Sequence, residues 1–319
     1  MKTILLTDSA DDAQNGEDVV AYLREAFPDA SVHVAHDLAG ALAAPSPDVL
    51  ITANHDWLPD YVRERPELPW IHLLSAGADR LLGMDLPFER LRVSTSSGVH
   101  TATIAEYVMA GVLFHAKRLG RFTHLQQARR WERTWLHEIE GTTMAVLGLG
   151  AIGVGIAVRA RAFGMRVIGT KRTVERVEGV DEVFAPEHLH AVLRQADAVA
   201  VTVPLAPATR GLVGAAEFAV MKPSAVFVNV ARGAVVDEAA MIDALRERRI
   251  AAAVLDVFER EPLPEDSPLW DLENVLITPH VSGSTPVYMR KAVDVFVKNV
   301  RSLEATGELV TGVDPERGY

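Results

Sequence analysis

Apolar residues fall along this chain in short runs separated by longer amphipathic stretches, and the two kinds of segment alternate. In the first hundred residues the runs are Ile4–Leu6, Val32–Val34, Val49–Ile51, Ile71–Leu74 and Leu91–Val93. Each is short and rich in branched side chains, as a buried strand requires. Between them Asp18–Ala26 places Val19, Val20, Tyr22 and Leu23, with Phe27 just beyond, at helical spacing. A second series runs from 143 to about 278, with strands expected at Met144–Leu147, Val167–Gly169, Ala198–Thr202, Val226–Asn229, Ala252–Leu255 and Val275–Ile277. Helices fit between these six, notably Ala151–Phe163 and Glu238–Arg248. Strand alternating with helix predicts α/β architecture, each sheet parallel and covered on both faces.

Between the two series the pattern changes. Thr101–Leu119 is a long, largely apolar helix that reads as a connector buried on most sides. The stretch RFTHLQQARRWERTWLHEIEG follows, and its Trp131 and Trp135 lie four apart, on one face if it is helical. The pair either packs on its own domain or marks a subunit interface, and the interface is the preferred reading. A last helix, about Val287–Leu303, follows Pro286 and is expected to return to the first domain before a Gly- and Glu-containing tail frays. The domain boundaries expected are 1–99 with 286–319, and 100–285.

Composition narrows the classes. At 319 residues the length suits two domains. The absence of cysteine excludes disulfides, thiolate metal sites and thiol nucleophiles, and no metal site is expected. A net charge of −11 disfavours nucleic-acid binding, which relies on clustered cations. It fits an ordinary acidic surface, or more remotely a salt-loving source. The apolar stretch Ile4–Leu6 is too short for a secretory signal, and no run could span a bilayer, so a cytoplasmic protein is expected.

The strongest motif is Gly148-Leu149-Gly150-Ala151-Ile152-Gly153, which follows an apolar strand and opens an apolar helix. In that context Gly148 permits the tight turn, Gly150 lets backbone approach a pyrophosphate and Gly153 lets helix and strand pack. The N–H groups opening the helix, at Ala151, Ile152 and Gly153, meet the phosphate charge. NAD sites usually place an acid at the end of the second strand, roughly 20 residues on, to hold the ribose 2′-hydroxyl. Here that place reads Thr170-Lys171-Arg172-Thr173. The missing acid and the two cations, with the Thr173 hydroxyl, favour the 2′-phosphate of NADP, with NAD as the second possibility.

Three polar residues follow apolar strands in the second series: Arg232 after Val226–Asn229, Glu261 after Ala252–Leu255, and His280 after Val275–Ile277. Ligands of open α/β sheets bind beyond the carboxyl ends of strands, so these three could meet in one crevice.

Taken together, the segments LSAGADRL, TIAEYVMAGVL, VLGLGAIG, VTVPLAPATRGLV, VNVARGAVVDE, LDVFEREPLPEDSPLW and ITPHVSGST resemble the D-isomer-specific 2-hydroxyacid dehydrogenases from about Ser75 to Thr285. The first 70 residues match only in their rhythm. The resemblance implies two doubly wound parallel-sheet domains, a Rossmann coenzyme domain and a flavodoxin-like substrate domain, with a cleft between them. It implies that Arg232 binds the substrate carboxylate and polarises the C2 carbonyl, that His280 is the general acid of reduction and base of oxidation, and that Glu261 orients His280 and favours its protonated form. A 2-keto acid presents a carboxylate and a carbonyl, which suits a planar cation and a donor titrating near neutrality.

By the same resemblance, backbone N–H groups of Ala76 and Gly77 take the carboxylate, and Asp256 receives the nicotinamide carboxamide. Val203, Pro204 and Thr209 line the adenosine and phosphate channel, and Ala231 and Ser282 flank the nicotinamide. His100 either shapes the hinge or tunes the pocket, and Asn54-His55-Asp56-Trp57 border the substrate side chain. The expected activity is hydride transfer between NADP(H) and a small D-2-hydroxy or 2-keto acid, glyoxylate and hydroxypyruvate among them, in a homodimer. An NAD-linked member with another substrate is the alternative within enzymes, and a nucleotide-sensing corepressor or scaffold the alternative outside them.

Overall fold

The computed structural model describes residues 1–7, 19–53 and 55–315; of the helix expected at Asp18–Ala26, Asp18 lies outside that range. The chain divides into two compact units, Met1–His100 with Ser284–Tyr319, and Thr101–Gly283.

In the first unit five strands form one parallel sheet: β1 (Thr3–Thr7), β2 (Ser31–Ala35), β3 (Val49–Thr52), β4 (Trp70–Leu73) and β5 (Arg92–Thr95), in the order β2-β1-β3-β4-β5. That is the flavodoxin-like doubly wound order. Alternate residues feed two separate cores, as a strand period of two demands. Leu5, Leu50, Ile71 and Leu73 face one side with Leu58 and Tyr61. Ile4, Leu6, Val49, Ile51 and Trp70 face the other, where Met289, Val293 and Phe296 of the helix Tyr288–Thr306 cover them.

The expected fraying tail is corrected in part. Beyond its helix the chain lies along the edge of β5, where Val313 N donates to Val93 O at 2.9 Å and Thr95 N to Thr311 O at 3.2 Å. The buried Asn299 fastens it, its Nδ2 donating to Thr311 Oγ1 at 2.7 Å and its Oδ1 accepting from Thr311 N at 3.0 Å. These polar residues carry no apolar signal, but they satisfy an otherwise open sheet edge.

The second unit holds seven parallel strands: β6 (Thr143–Leu147), β7 (Arg166–Thr170), β8 (Glu182–Phe184), β9 (Ala198–Val201), β10 (Val226–Asn229), β11 (Ala252–Leu255) and β12 (Val275–Ile277). Their order is β12-β11-β10-β9-β6-β7-β8, a dinucleotide-binding sheet with β12 added at one edge. Sequence pattern finds six of the seven. β8 escapes it because only Val183 and Phe184 are apolar and its ladder is with β7 alone.

The long apolar helix ends at Ala116, short of the expected Leu119. It lies within the second unit, close against the helix Ala151–Ala162 and the sheet. A Cβ at Gly155 would come within 2.5 Å of Thr101 Cγ2, and one at Gly111 within 2.9 Å of the Val254 methyls. Arg118, at φ 51°, turns the chain into a second helix, Leu119–Gln127, and Arg129 at φ 52° ends that one. Residues 130–139 then run without regular structure, which corrects the shared helical face expected for Trp131 and Trp135. Both tryptophans are exposed, at 96% and 93%. Arg121 to Glu132 at 2.9 Å and His137 N to Ala116 O at 3.1 Å pin the two ends of this arm. Among the described residues no helix is long and apolar enough to cross a membrane.

One buried histidine makes the first unit sensitive to acid. His72 in β4 is fully enclosed. Trp70 Nε1 donates to Ser94 Oγ at 2.9 Å, and Ser94 Oγ lies 2.7 Å from His72 Nδ1, which accepts its proton because the ring proton is on Nε2. Ser96 Oγ donates to Leu73 O at 3.1 Å and so accepts from His72 Nε2 at 3.3 Å. The neutral ring is thus satisfied at both nitrogens, and burial pushes its pKa from 6.5 to about 3. The unfolded chain therefore binds the proton first, and this contribution to stability falls as pH drops below about 6.5. Between pH 7 and pH 5 the loss is about 2 kcal/mol. The thermal midpoint of His72→Gln, measured at both pH values, is expected to fall less steeply than that of the parent protein; equal slopes would contradict the assignment.

Candidate active site

The residues singled out in the second unit sit on loops that leave the carboxyl ends of its strands. After β6 the chain turns at Gly148, whose φ of 103° is closed to ordinary side chains. The turn is fastened to its neighbours: Gly148 N and Leu149 N donate to Thr170 O at 3.2 and 3.1 Å, and Thr202 Oγ1 donates to Gly148 O at 2.7 Å. A Cβ on Gly153 would sit 2.1 Å from Gly148 O, so only glycine lets the helix Ala151–Ala162 start this close. At Gly150, by contrast, a Cβ would meet nothing within 4 Å. Gly150 opens that helix with no side-chain cap, which leaves the first N–H groups, those of Ala151, Ile152 and Gly153, without partners inside the helix. An open space at an uncapped helix N-terminus fits a pyrophosphate.

Lys171 and Arg172 follow β7 directly. Lys171 Nζ is ion-paired with Glu175, Arg172 is exposed, and Thr173 beside it is exposed too. On the loop after β9, Val203 lies against the glycine turn, its Cγ1 2.8 Å from where a Cβ of Gly148 would be. Thr209 has its hydroxyl committed inside its own loop. It donates to Pro204 O at 2.6 Å and accepts from Ala206 N at 2.8 Å.

The loops after β10, β11 and β12 are joined to one another. Asn229, buried at the end of β10, accepts from Ala231 N at 3.1 Å and donates to Arg232 O at 3.2 Å. Gly233 then lies so close to the next loop that a Cβ would fall 1.9 Å from the Phe258 carbonyl. From that loop Glu261 reaches back, its Oε1 accepting from Phe258 N at 3.0 Å. Its other oxygen, Oε2, is 2.7 Å from His280 Nδ1, which leaves the ring's Nε2 for a second partner. The His280 side chain is 50% exposed and that of Glu261 36%.

Asp256 holds the His280 loop. Its side chain is fully buried, and its carboxylate accepts from Val281 N and Ser282 N at 2.9 Å each and from Thr278 Oγ1 at 2.5 Å. His280 N also donates to Asp256 O at 2.9 Å. Within this clasp His280 takes φ 54°, a left-handed conformation that a side chain rarely adopts and that costs on the order of 1–3 kcal/mol. Ala231 and Ser282 are buried beside these loops.

The sequence of this unit matches the profile of the D-isomer specific 2-hydroxyacid dehydrogenase, NAD binding domain, over residues 109–282. The chain belongs to the D-isomer specific 2-hydroxyacid dehydrogenases. Among its relatives, glyoxylate/hydroxypyruvate reductase A of Yersinia enterocolitica is 31% identical over 82% of this chain and 86% of that protein. A D-isomer specific 2-hydroxyacid dehydrogenase of Xanthobacter autotrophicus Py2, solved with NADPH and MES, is 36% identical over the whole of both chains, with a TM-score of 0.89. The NADPH-dependent glyoxylate/hydroxypyruvate reductase of Sinorhizobium meliloti, solved with NADP and sulfate, is 28% identical over the whole of both chains, with a TM-score of 0.85.

In the first unit the loop after β4 carries Ala76 and Gly77. Their N–H groups make no hydrogen bond among the described residues, and Ser75 Oγ donates to Gly77 O at 2.7 Å. His100 stacks on Tyr288 with ring centroids 4.8 Å apart, where the chain leaves this unit and comes back to it. Of the Asn54–Trp57 group, Asn54 lies outside the described residues. His55 stacks on Trp57 at 4.9 Å, and Asp56 pairs with Arg80 at 2.7 Å.

Sequence reasoning passed over Thr202, Asn229, Tyr107 and Thr278. Thr202 and Thr278 directly follow strands of the motif-bearing unit and Asn229 ends one, and that placement was the available signal. Tyr107 lies mid-helix and gives none. The contact at Gly233 generates a direct expectation. Gly233→Ala should cost 1–3 kcal/mol or more of stability through overpacking, and it should lower turnover by displacing Arg232. A variant with parent-like thermal midpoint and kcat would show that the two loops can move apart freely.

Proposed function

We propose that this 2-hydroxyacid dehydrogenase uses NADPH to reduce a small 2-keto acid, glyoxylate or hydroxypyruvate first among them, to the D-2-hydroxy acid. The observation that carries the reading is the 2.7 Å contact between His280 Nδ1 and Glu261. It fixes the ring and leaves Nε2 as the proton-exchanging nitrogen. Bound NADPH supplies the hydride that reaches C2. The acid delivering a proton to the carbonyl oxygen is His280, which takes it back in oxidation. Glu261, held from behind by Phe258 N, keeps the ring oriented and stabilises its charge before the proton leaves. The guanidinium of Arg232 takes the substrate carboxylate in a fork geometry, and the N–H groups of Ala76 and Gly77 are further donors to that carboxylate.

The coenzyme's pyrophosphate is assigned to the turn at Gly148 and Gly150 and to the N–H groups of Ala151, Ile152 and Gly153. Its 2′-phosphate is assigned to Lys171, Arg172 and Thr173, displacing Glu175 from Lys171. Val203, Pro204 and Thr209 line the intervening path, Thr209 by shaping the loop. Ala231 and Ser282 flank the nicotinamide. The nicotinamide carboxamide is assigned to Asp256, whose carboxylate already accepts from three donors of the His280 loop. The NADPH-dependent relative from Sinorhizobium meliloti supports this preference.

The test is a panel of glyoxylate, hydroxypyruvate, pyruvate and 2-ketoisocaproate with NADPH and NADH, followed by nicotinamide absorbance. NADPH should give the higher kcat/KM, and His280→Ala or Arg232→Ala should lower turnover at least ~100-fold. Tight NADPH binding with no turnover of any 2-keto acid would instead mark a nucleotide sensor.

The working form is assigned as a cytoplasmic homodimer in which the arm at 130–139 meets the second copy. Its tryptophans are nearly fully exposed in a chain with ample buried apolar core. The segment leading into the arm is basic, with Lys117, Arg118, Arg121 and Arg129, while the arm itself balances Arg130 and Arg133 against Glu132 and Glu138. Sedimentation should give twice the 34.7 kDa chain mass for the parent protein, and Trp131→Ala with Trp135→Ala should shift it towards monomer. A parent protein that sediments as a monomer would overturn the assembly.

A further inference from the structure

The helix Thr101–Ala116 carries a tyrosine that reaches the loop of the catalytic histidine. Tyr107 is half-buried, and its hydroxyl lies 2.6 Å from Thr278 Oγ1. Thr278 directly follows the strand β12, two residues before His280, and its Oγ1 lies 2.5 Å from Asp256 Oδ1. The direction of this chain follows from chemistry. A carboxylate only accepts, so the Thr278 hydroxyl spends its single proton on Asp256. The Thr278 oxygen is then an acceptor, and Tyr107 must be the donor. Tyr107 O–H to Thr278 O–H to Asp256 is therefore a one-way relay of hydrogen bonds ending on a buried carboxylate.

That carboxylate is also what Val281 N and Ser282 N bind, while the Asp256 carbonyl takes His280 N. Three consecutive N–H groups around His280 thus converge on one residue. They hold His280 at φ 54°, where its Nδ1 meets Glu261. Left to itself this backbone would relax to the commoner right-handed or extended regions, carrying the ring away from Glu261. The Thr278 hydroxyl is one of the three donors on the Asp256 carboxylate, and Tyr107 is what fixes the rotor of that hydroxyl. Burial raises the Tyr107 pKa, with the Thr278 hydrogen bond opposing, so the phenol keeps the proton it donates.

We propose that Tyr107 and Thr278 are positioning residues for His280: they lock Asp256 and, through it, the left-handed turn that aims the imidazole. Neither is assigned to touch substrate or coenzyme. The inference rests on His280 being the proton donor, and the experiment separates the two claims. Tyr107→Phe removes one oxygen, Thr278→Val replaces the hydroxyl by a methyl of similar size, and Thr278→Ser keeps it.

For each variant, kcat, KM for the keto acid, NADPH binding by fluorescence titration and the solvent deuterium isotope effect on kcat are measured beside His280→Ala. Tyr107→Phe and Thr278→Val are expected to lower kcat about ten-fold through misplacement of the acid. KM for the keto acid should stay within about two-fold, because the carboxylate's assigned ligands are other residues, whereas the NADPH Kd reports any disturbance of Asp256 and Ser282 at the nicotinamide end. The solvent isotope effect should rise as proton transfer becomes slower, which a mere loss of folded enzyme would not produce. Thr278→Ser should keep at least about half of the parent turnover, since the relay survives.

Parent-like kcat and isotope effect in both Tyr107→Phe and Thr278→Val, with His280→Ala inactive, would overturn the positioning role and leave the proposed function standing. Normal turnover in His280→Ala would overturn both.

Discussion

Much of the site depends on a single buried carboxylate. Asp256 is fully enclosed, and an ionised group in such a place is tolerated only when donors surround it. The donors here are a threonine hydroxyl and two successive backbone N–H groups, all from the loop that bears His280. The need to satisfy the charge and the need to place the imidazole are therefore met by the same contacts. Once the loop is clasped, the left-handed backbone at His280 is sustained although it is locally unfavourable. Glu261 can then meet the ring's Nδ1, and Nε2 is left for the proton exchange proposed for it.

Around that clasp the second unit uses close backbone approach rather than side-chain bulk. The glycine turn is tied to the neighbouring strands through Thr170 and Thr202. Gly153 lets its helix begin against the turn, and Gly233 lets the arginine loop lie on the loop of Glu261. Each contact removes freedom from a segment that carries a functional group. For the proposed chemistry this arrangement means groups that are in place beforehand and need little reorganisation.

The element pattern was largely legible along the chain. Parallel strands buried on both faces leave compact apolar runs, so eleven of the twelve strands among the described residues could be read with boundaries within a residue or two. β8 was missed because a short edge strand with one ladder neighbour has too little apolar content to register. The Trp131–Trp135 segment was misread for a related reason. Spacing by four is helical only if the backbone is, and the left-handed turn at Arg129 ends the helix first. The tail from Thr311 to Val313 reads as a frayed end in the sequence because backbone pairing along a sheet edge asks nothing of side-chain hydropathy.

What the sequence by itself determined was the family, the alternation that builds two parallel sheets, the glycine turn, and the identities of the residues offered as phosphate, carboxylate and proton partners. These are local properties: a glycine spacing or a strand followed by a polar residue is written within a few consecutive positions. Tertiary structure alone decided that Tyr107, Thr278 and Asp256 form one line of hydrogen bonds, that Asn229 shapes the arginine loop, and that Glu175 sits on Lys171. The first of these joins residues remote along the chain, Tyr107 to Thr278 at 2.6 Å and Thr278 to Asp256 at 2.5 Å, and even the short-range ones depend on how the backbone is turned. Hydrogen bonds of that kind are set by how helices and strands come to rest against one another, and residue type carries no trace of it.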